Sequence, residues 1–389
     1  MPHIYLDHNA TTPIDDAVAD SVHECSLRVR GNPASPHRTG REARRLLEQA
    51  REGMAELLGA DVAASHADSV VFTSGGTESN NLALHGLAGE PPGRILISAV
   101  EHPSVAAAAG GLAARGFDVR QIRVDADGIV DLNHVRELLT EPTRLVSVML
   151  GNNETGVLQP VQQLAQLCVA AGTLLHTDAV QVVGKLPVDF RAMGVDALSA
   201  SAHKFHGPPG VGLLLVRAGI TLQPILLGGF QQLGLRPGTE AVALAVGMHT
   251  ALQLAAADQQ RASRMQQLRD QLEAAIQQGD PAAVIHAQSA SRLPHTSNVS
   301  FPGLDRQAIL MALDLAGVAC STGSACASGS SEPSPVLLAM GCHPDVVEGS
   351  IRISLGMGTT DGEIAEAGRR ILDVVHHLRG PREHASHSV

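Results

Sequence analysis

Between residues 69 and 216, short apolar runs alternate with stretches of helical spacing, and that alternation admits few folds. The runs 69–73 (Ser-Val-Val-Phe-Thr), 94–98, 118–124, 144–150, 173–177 and 211–216 have the length and composition of strands. Helical patterns near 77–88, 103–115, 131–139 and 160–171 separate the earlier ones. Strands and helices in strict succession imply an α/β domain whose mainly parallel sheet is flanked by helices. Such sheets collect ligands beyond the carboxyl ends of their strands. Upstream, Ala43, Leu46, Leu47, Ala50, Met54, Leu57 and Leu58 recur at helical spacing and stop at Gly59.

The alternation ends near residue 240, where one long Ala/Gln/Leu-rich helical stretch runs to 278. Beyond it come a strand-like run at 295–301, a helix near 305–316, a Gly/Ser-rich loop at 320–332, a strand at 350–355 and a closing helix at 361–378. This pattern predicts a smaller α+β domain. The expected division is a large domain at 14–250, a small domain made of 1–13 and 251–380, and a tail at 381–389. A chain of 389 residues is long enough for two domains. Its net charge of −11 argues against nucleic acid or an anionic membrane as partner. No apolar run of about 18 residues suggests a membrane span, and the N-terminus lacks the pattern of a signal peptide. Five cysteines without zinc-type spacing predict no metal site and a reduced, cytoplasmic protein.

Several short motifs fall at the expected strand ends. Lys204 stands between His203 and Phe205-His206, after an apolar approach and before Gly207-Pro208. A lysine placed so is either a surface residue in a turn or an amine put to chemical use. A Schiff base with an aldehyde cofactor, above all pyridoxal phosphate, is the use that fits. Ser74-Gly75-Gly76-Thr77-Glu78-Ser79-Asn80 follows a strand and opens a helix, which suits a phosphate as well as an ordinary turn. The apolar strand 173–177 leads into Asp178 and Gln181. A carboxylate there needs a partner, for which a pyridinium N–H and a helix N-terminus compete. His102, in Glu101-His102-Pro103, and Asn153, in Asn152-Asn153-Glu154-Thr155-Gly156, end neighbouring strands on the same rim. Arg352 in Ser-Ile-Arg-Ile-Ser is suited to capture a carboxylate, or to lie in solvent on an edge strand. Arg236-Pro237-Gly238-Thr239 is a turn carrying a charge and a hydroxyl. Cys326 lies in a Gly/Ser-rich segment that reads as a flexible arm for a nucleophile, or as an inert thiol in a loop. Cys320, nearer the apolar end, reads as a buried structural cysteine.

In order and in combination these motifs resemble the NifS/IscS-type cysteine desulfurases of the class V aminotransferase-like family. The resemblance runs from Tyr5-Leu-Asp-His-Asn-Ala-Thr-Thr-Pro13 through Thr73–Asn81, Asn152–Gly156, His203-Lys204 and Ser324-Ala-Cys326 to Arg352–Gly356. It implies the fold of the fold-type I pyridoxal-phosphate enzymes, with a seven-stranded sheet, and pyridoxal 5'-phosphate as cofactor. Lys204 would be the Schiff-base lysine and Asp178 the pyridinium partner. Gln181 and Asn153 would hold the ring hydroxyl, and His102 would stack over the ring. Gly76, Thr77, Ser201 and His203 would hold the phosphate, with Thr239 reaching in from the second subunit of a homodimer. Arg352 would take the carboxylate of L-cysteine, with Asn32 in the same pocket. Cys326 would collect the sulfur as a persulfide, for an iron–sulfur scaffold or another sulfur-acceptor protein. Gly228-Gly229-Phe230-Gln231-Gln232, where the family usually has a third glycine and an acidic residue, and Pro237, where it often has serine, depart from the family pattern. Pro237 keeps selenocysteine lyase, beside an aminotransferase, as the alternative.

Overall fold

A computed structural model describes residues 3–62, 67–323 and 332–380. Seven strands form its main sheet, in the order Ser69–Thr73, Gly212–Val216, Ala197–Ser201, Leu174–Asp178, Thr143–Ser147, Arg94–Ser98, Asp118–Ile122. Every adjacent pair is parallel except those made by Gly212–Val216, which runs against both of its neighbours. Six of these strands follow the expected runs to within a few residues. The seventh, Ala197–Ser201, carries no β-branched or aromatic side chain and gave no local signal. It is a strand because both of its neighbours are, and because all five residues are buried between them.

Helices cover both faces of the sheet. On one side Arg38–Leu57 and Val242–Ala257 pack with the sheet around Leu47, Met54, Phe205 and Met248. On the other, Gly76–Ala88 and Pro103–Ala114 close over Leu84, Ile97, Leu112 and Leu214. Each such fully buried side chain contributes roughly 1.5–3 kcal/mol relative to exposure. The expected helix across 240–278 is two helices, Val242–Ala257 and Arg261–Gly279. Between them the Asp258 carboxylate accepts from the Gln260 N–H and turns the chain, although no Gly or Pro marks the break.

A second core gathers Leu268, Leu272, Phe301, Ile351, Ile353 and Ile371 around an antiparallel sheet ordered Ser350–Ser354, Thr296–Ser300, Val284–Ile285. Ile4 and Leu6 belong to this core, and Ile4–Tyr5 pairs in parallel with Val318–Ala319. From there the chain crosses to the main sheet. Asp7 bridges Ser354, and the Thr12 N–H donates to the His203 carbonyl at 2.9 Å. Residues 7–12 thus lie between the two sheets.

Candidate active site

The carboxyl ends of the central strands meet this crossing segment, and the candidate residues gather there. Lys204 follows strand Ala197–Ser201 on a single 3-10 turn. Its Nζ donates to the main-chain carbonyls of Asn9 (2.5 Å) and Ala10 (2.8 Å). The Asn9 carbonyl also accepts from Gln181 Nε2 at 3.0 Å, which holds Gln181 beside the Lys204 amine. The Asn9 side chain is itself fixed: Nδ2 donates to the Asn153 carbonyl and to Thr296 Oγ1, and Oδ1 meets His295 Nε2. One buried asparagine therefore joins the Lys204 turn, the 152–156 turn and the small sheet.

Asp178 ends its strand buried. Its Oδ1 accepts from the Val180 N–H at 2.9 Å and its Oδ2 from Asn80 Nδ2 at 2.6 Å. Asn80 lies one turn into helix Gly76–Ala88 and also donates to Ser104 Oγ at 2.9 Å. Ser104 Oγ lies 2.7 Å from His102 Nδ1, which accepts the Ser104 main-chain N–H as the N-cap of helix Pro103–Ala114. Since Nδ1 is the acceptor, the ring proton sits on Nε2. A continuous hydrogen-bond chain thus links Asp178 to His102.

The helix opening at Gly76 lies against Ser201. A Cβ on Gly76 would stand 2.8 Å from Val180 Cγ2 and 3.6 Å from Ser201 Cβ, so only glycine lets the main chain come this close. Ser201 Oγ is buried without a hydrogen-bond partner among the described residues, beside a helix N-terminus whose first N–H groups have no intrahelical acceptor. His203 closes this side. Its Nδ1 is 3.1 Å from Thr11 Oγ1, and burial, with Lys204 and Lys185 nearby, pushes the imidazole down to about 4. It is a neutral ring at physiological pH.

Arg352 reaches in from strand Ser350–Ser354. Its Nη2 donates to Asp7 Oδ1 at 2.7 Å and Nη1 to the Asn153 carbonyl at 3.1 Å, while Nε is buried without a partner among the described residues. The strand also anchors one stem of the 320–332 segment, through reciprocal Ser321–Arg352 main-chain bonds of 3.1 and 2.5 Å. The other stem ends on Ser334, whose hydroxyl donates to Glu154 Oε2 at 2.5 Å. Cys326 itself lies outside the described residues. Cys320 is partly buried, with burial pushing its thiol up to about 12, which keeps it protonated and unreactive. Thr77 is exposed at its helix start, and Thr239 is exposed on this chain. Asn32 is exposed too, in an Asx turn to the Ala34 N–H, and no described contact joins it to the Lys204 cluster. Among the described residues no group of three or more His, Cys, Asp or Glu is placed to hold a metal, and no helix is long and apolar enough to cross a membrane.

Sequence reasoning did not assign roles to Asp7, Asn9, Asn80, Ser104 or Lys185. Asn80 was within reach, lying three residues past Thr77 on the same helical face. Lys185 was too, since it follows Gln181 by four residues and is the chain's only lysine besides Lys204.

The chain matches the aminotransferase class-V family over residues 4–366. It is 40% identical over 382 residues to the cysteine desulfurase NifS of Azotobacter vinelandii, covering 97% of this chain and 94% of that protein. The crystal structure of a NifS-like protein from Rickettsia africae ESF-5 superposes with a TM-score of 0.88 at 32% identity, over 96% of this chain and 99% of the other. The solved complex of SspA with cysteine superposes with a TM-score of 0.80 at 32% identity, over 90% and 98%.

Proposed function

The chain belongs to the aminotransferase class-V family, and on that footing we propose that it is a cysteine desulfurase that uses pyridoxal phosphate. The observation that carries the reading is the meeting of three groups at one sheet edge. Lys204 and Gln181 share the Asn9 carbonyl, and Asn80 ties Asp178 to the helix that opens at Gly76 beside Ser201. The residues present fit the cofactor: a buried hydroxyl without a partner and open helix N–H groups suit a phosphate, and a buried strand-end carboxylate suits a ring cation.

Gly76, Thr77, Ser201 and His203 would hold the phosphate, joined by Thr239 of a second subunit in a homodimer. Asp178 would pair with the ring nitrogen, Gln181 and Asn153 with the ring oxygen, His102 would lie over the ring, and Lys204 would tether the aldehyde carbon. When bound, the cofactor supplies a carbonyl for amines and a ring that takes up the electron pair released at the substrate α-carbon. The rest is work for side chains. Arg352 would take the L-cysteine carboxylate through its guanidinium, which Asp7 holds in place. Lys204 would take up and return a proton, and His102, its proton on Nε2, would protonate a departing group. Cys326 attacks the substrate sulfur. The C–S bond breaks, an S–S bond forms, and cysteine plus thiol become alanine plus the Cys326 persulfide. Passage of that sulfur to an iron–sulfur scaffold or another acceptor in the cytoplasm completes the reading, and the two separate cores support a large and a small domain around the site.

Incubation with cysteine tests it. The wild-type protein makes about one alanine per subunit before reductant is added and then turns over, whereas Cys326→Ser makes no persulfide. Full sulfide release by Cys326→Ser without reductant would remove the thiol from the reaction.

A further inference from the structure

The chain contains 26 arginines and only two lysines, Lys204 and Lys185. Wherever else a cation is needed, arginine serves. Arginine cannot lose its proton within a protein, whereas a desolvated lysine does so readily. The second lysine therefore stands where arginine does not do the work. Lys185 is buried, and its Nζ donates to Gln181 Oε1 at 3.1 Å. The other end of that amide donates to the Asn9 carbonyl, which also accepts from Lys204 Nζ. A main-chain carbonyl can only accept, so the amide's N–H edge must face Asn9 and its oxygen must face Lys185.

Among the described residues no anion acts on this amine. The charges acting on it, Lys204, Arg261 and Arg352, are all positive, and burial with these neighbours lowers its proton affinity well below that of an ordinary lysine. His8, His203, His206 and His295 stand close enough to feel it, and burial likewise lowers each of them. An ammonium here would lie among cations, away from water. An uncharged amine costs far less and still donates.

We propose that Lys185 is a positioning residue: an uncharged amine that pins the Gln181 oxygen and so keeps the amide's donor edge turned to the Lys204 side of the pocket. The amide then meets the cofactor's ring oxygen as a donor, which favours that oxygen in its ionised form. This inference rests on the pyridoxal phosphate reading for its consequence, though not for the state of the amine.

Two measurements test it. With only two lysines, [ε-13C]lysine labelling gives two side-chain signals, assigned by Lys204→Ala. In the wild-type apoprotein at pH 7 the Lys185 signal is expected at the free-amine position; the ammonium position overturns the proposal. The second is a double-mutant cycle on cofactor affinity, read by titrating apoprotein with pyridoxal phosphate. Lys185→Met is expected to weaken binding about tenfold, the loss of one hydrogen bond. In a Gln181→Leu background the same change is expected to cost nothing further. Independent, multiplying losses overturn the positioning role. Should wild-type apoprotein take up no pyridoxal phosphate, the functional reading fails, while the labelled lysine still reports on the amine. Should Lys185→Met not fold, that signal decides the question in the unaltered site.

Discussion

Glu101 offers a sharp test of how dry the floor of the site is. It precedes His102, and its carboxyl is buried: Ser98 Oγ donates to Oε1 at 2.5 Å and the Met149 N–H at 2.8 Å, while Oε2 has no partner among the described residues. Burial, with the Asp178 charge adding to it, pushes this carboxyl up to about 8 from its ordinary 4.5. Between those values the folded protein keeps a proton that the unfolded chain has released. A proton bound only in the folded state makes stability fall as pH rises, by about 1.4 kcal/mol per unit. The contribution is fully present below about pH 4.5 and lost by about pH 8, a total of about 5 kcal/mol across the window. Glu101→Gln keeps the two acceptor contacts, matches the neutral acid in shape and does not titrate. Apart from a fixed offset from the new amide, its stability should gain on wild type by about 1.4 kcal/mol per unit. From pH 5 to 7.5 the gap should widen by about 3 kcal/mol. Urea denaturation of both apoproteins, followed by circular dichroism across that range, reads the slope. Parallel stability curves would refute the reasoning, and with it the picture of a neutral Glu101 that leaves the Asp178 charge without a like neighbour.

Two further substitutions probe the ligand contacts. Arg352→Lys removes the planar fork and the buried Nε, so kcat/KM for cysteine should fall on the order of 30–3000-fold, mostly through KM, as for truncating a buried charge pair; an unchanged KM in steady-state assays would take Arg352 out of substrate binding. Ser201→Ala removes a hydroxyl that has no partner among the described residues, so apoprotein melting should hold or rise slightly while pyridoxal phosphate affinity drops about tenfold; equal affinity would remove Ser201 from the phosphate cradle.

What the sequence made legible was whatever declares itself locally. Strands with Val, Ile and Leu runs, such as Leu174–Asp178, were visible, and so were helices with a regular apolar stripe. Ala197–Ser201 was not, because its strand character comes from neighbours distant in sequence and its Ser/Ala composition is neutral. Lys204, Asp178, Arg352 and the Gly75-Gly76 turn were noticeable because a charge or a glycine pair beside an apolar strand is conspicuous, although each also had an ordinary explanation. Asn9, Asn80 and Ser104 were silent for the opposite reason. A small polar residue looks alike on a surface and in a buried junction, and only the meeting of segments as distant as 9 and 204 or 80 and 178 gives it a task. The split of 240–278 was hidden similarly, since an Asx turn formed by Asp258 needs no Gly or Pro.

The central claim is that one amine, that of Lys204, carries an aldehyde cofactor where the glycine cradle meets the strand-end carboxylate. Borohydride reduction of the protein loaded with pyridoxal phosphate, followed by peptide mass mapping, tests it directly, because the chain offers only two lysines. The phosphopyridoxyl group should appear on Lys204, and Lys204→Ala should carry none and lack visible absorption. A group found on Lys185, or on neither lysine, would contradict the account.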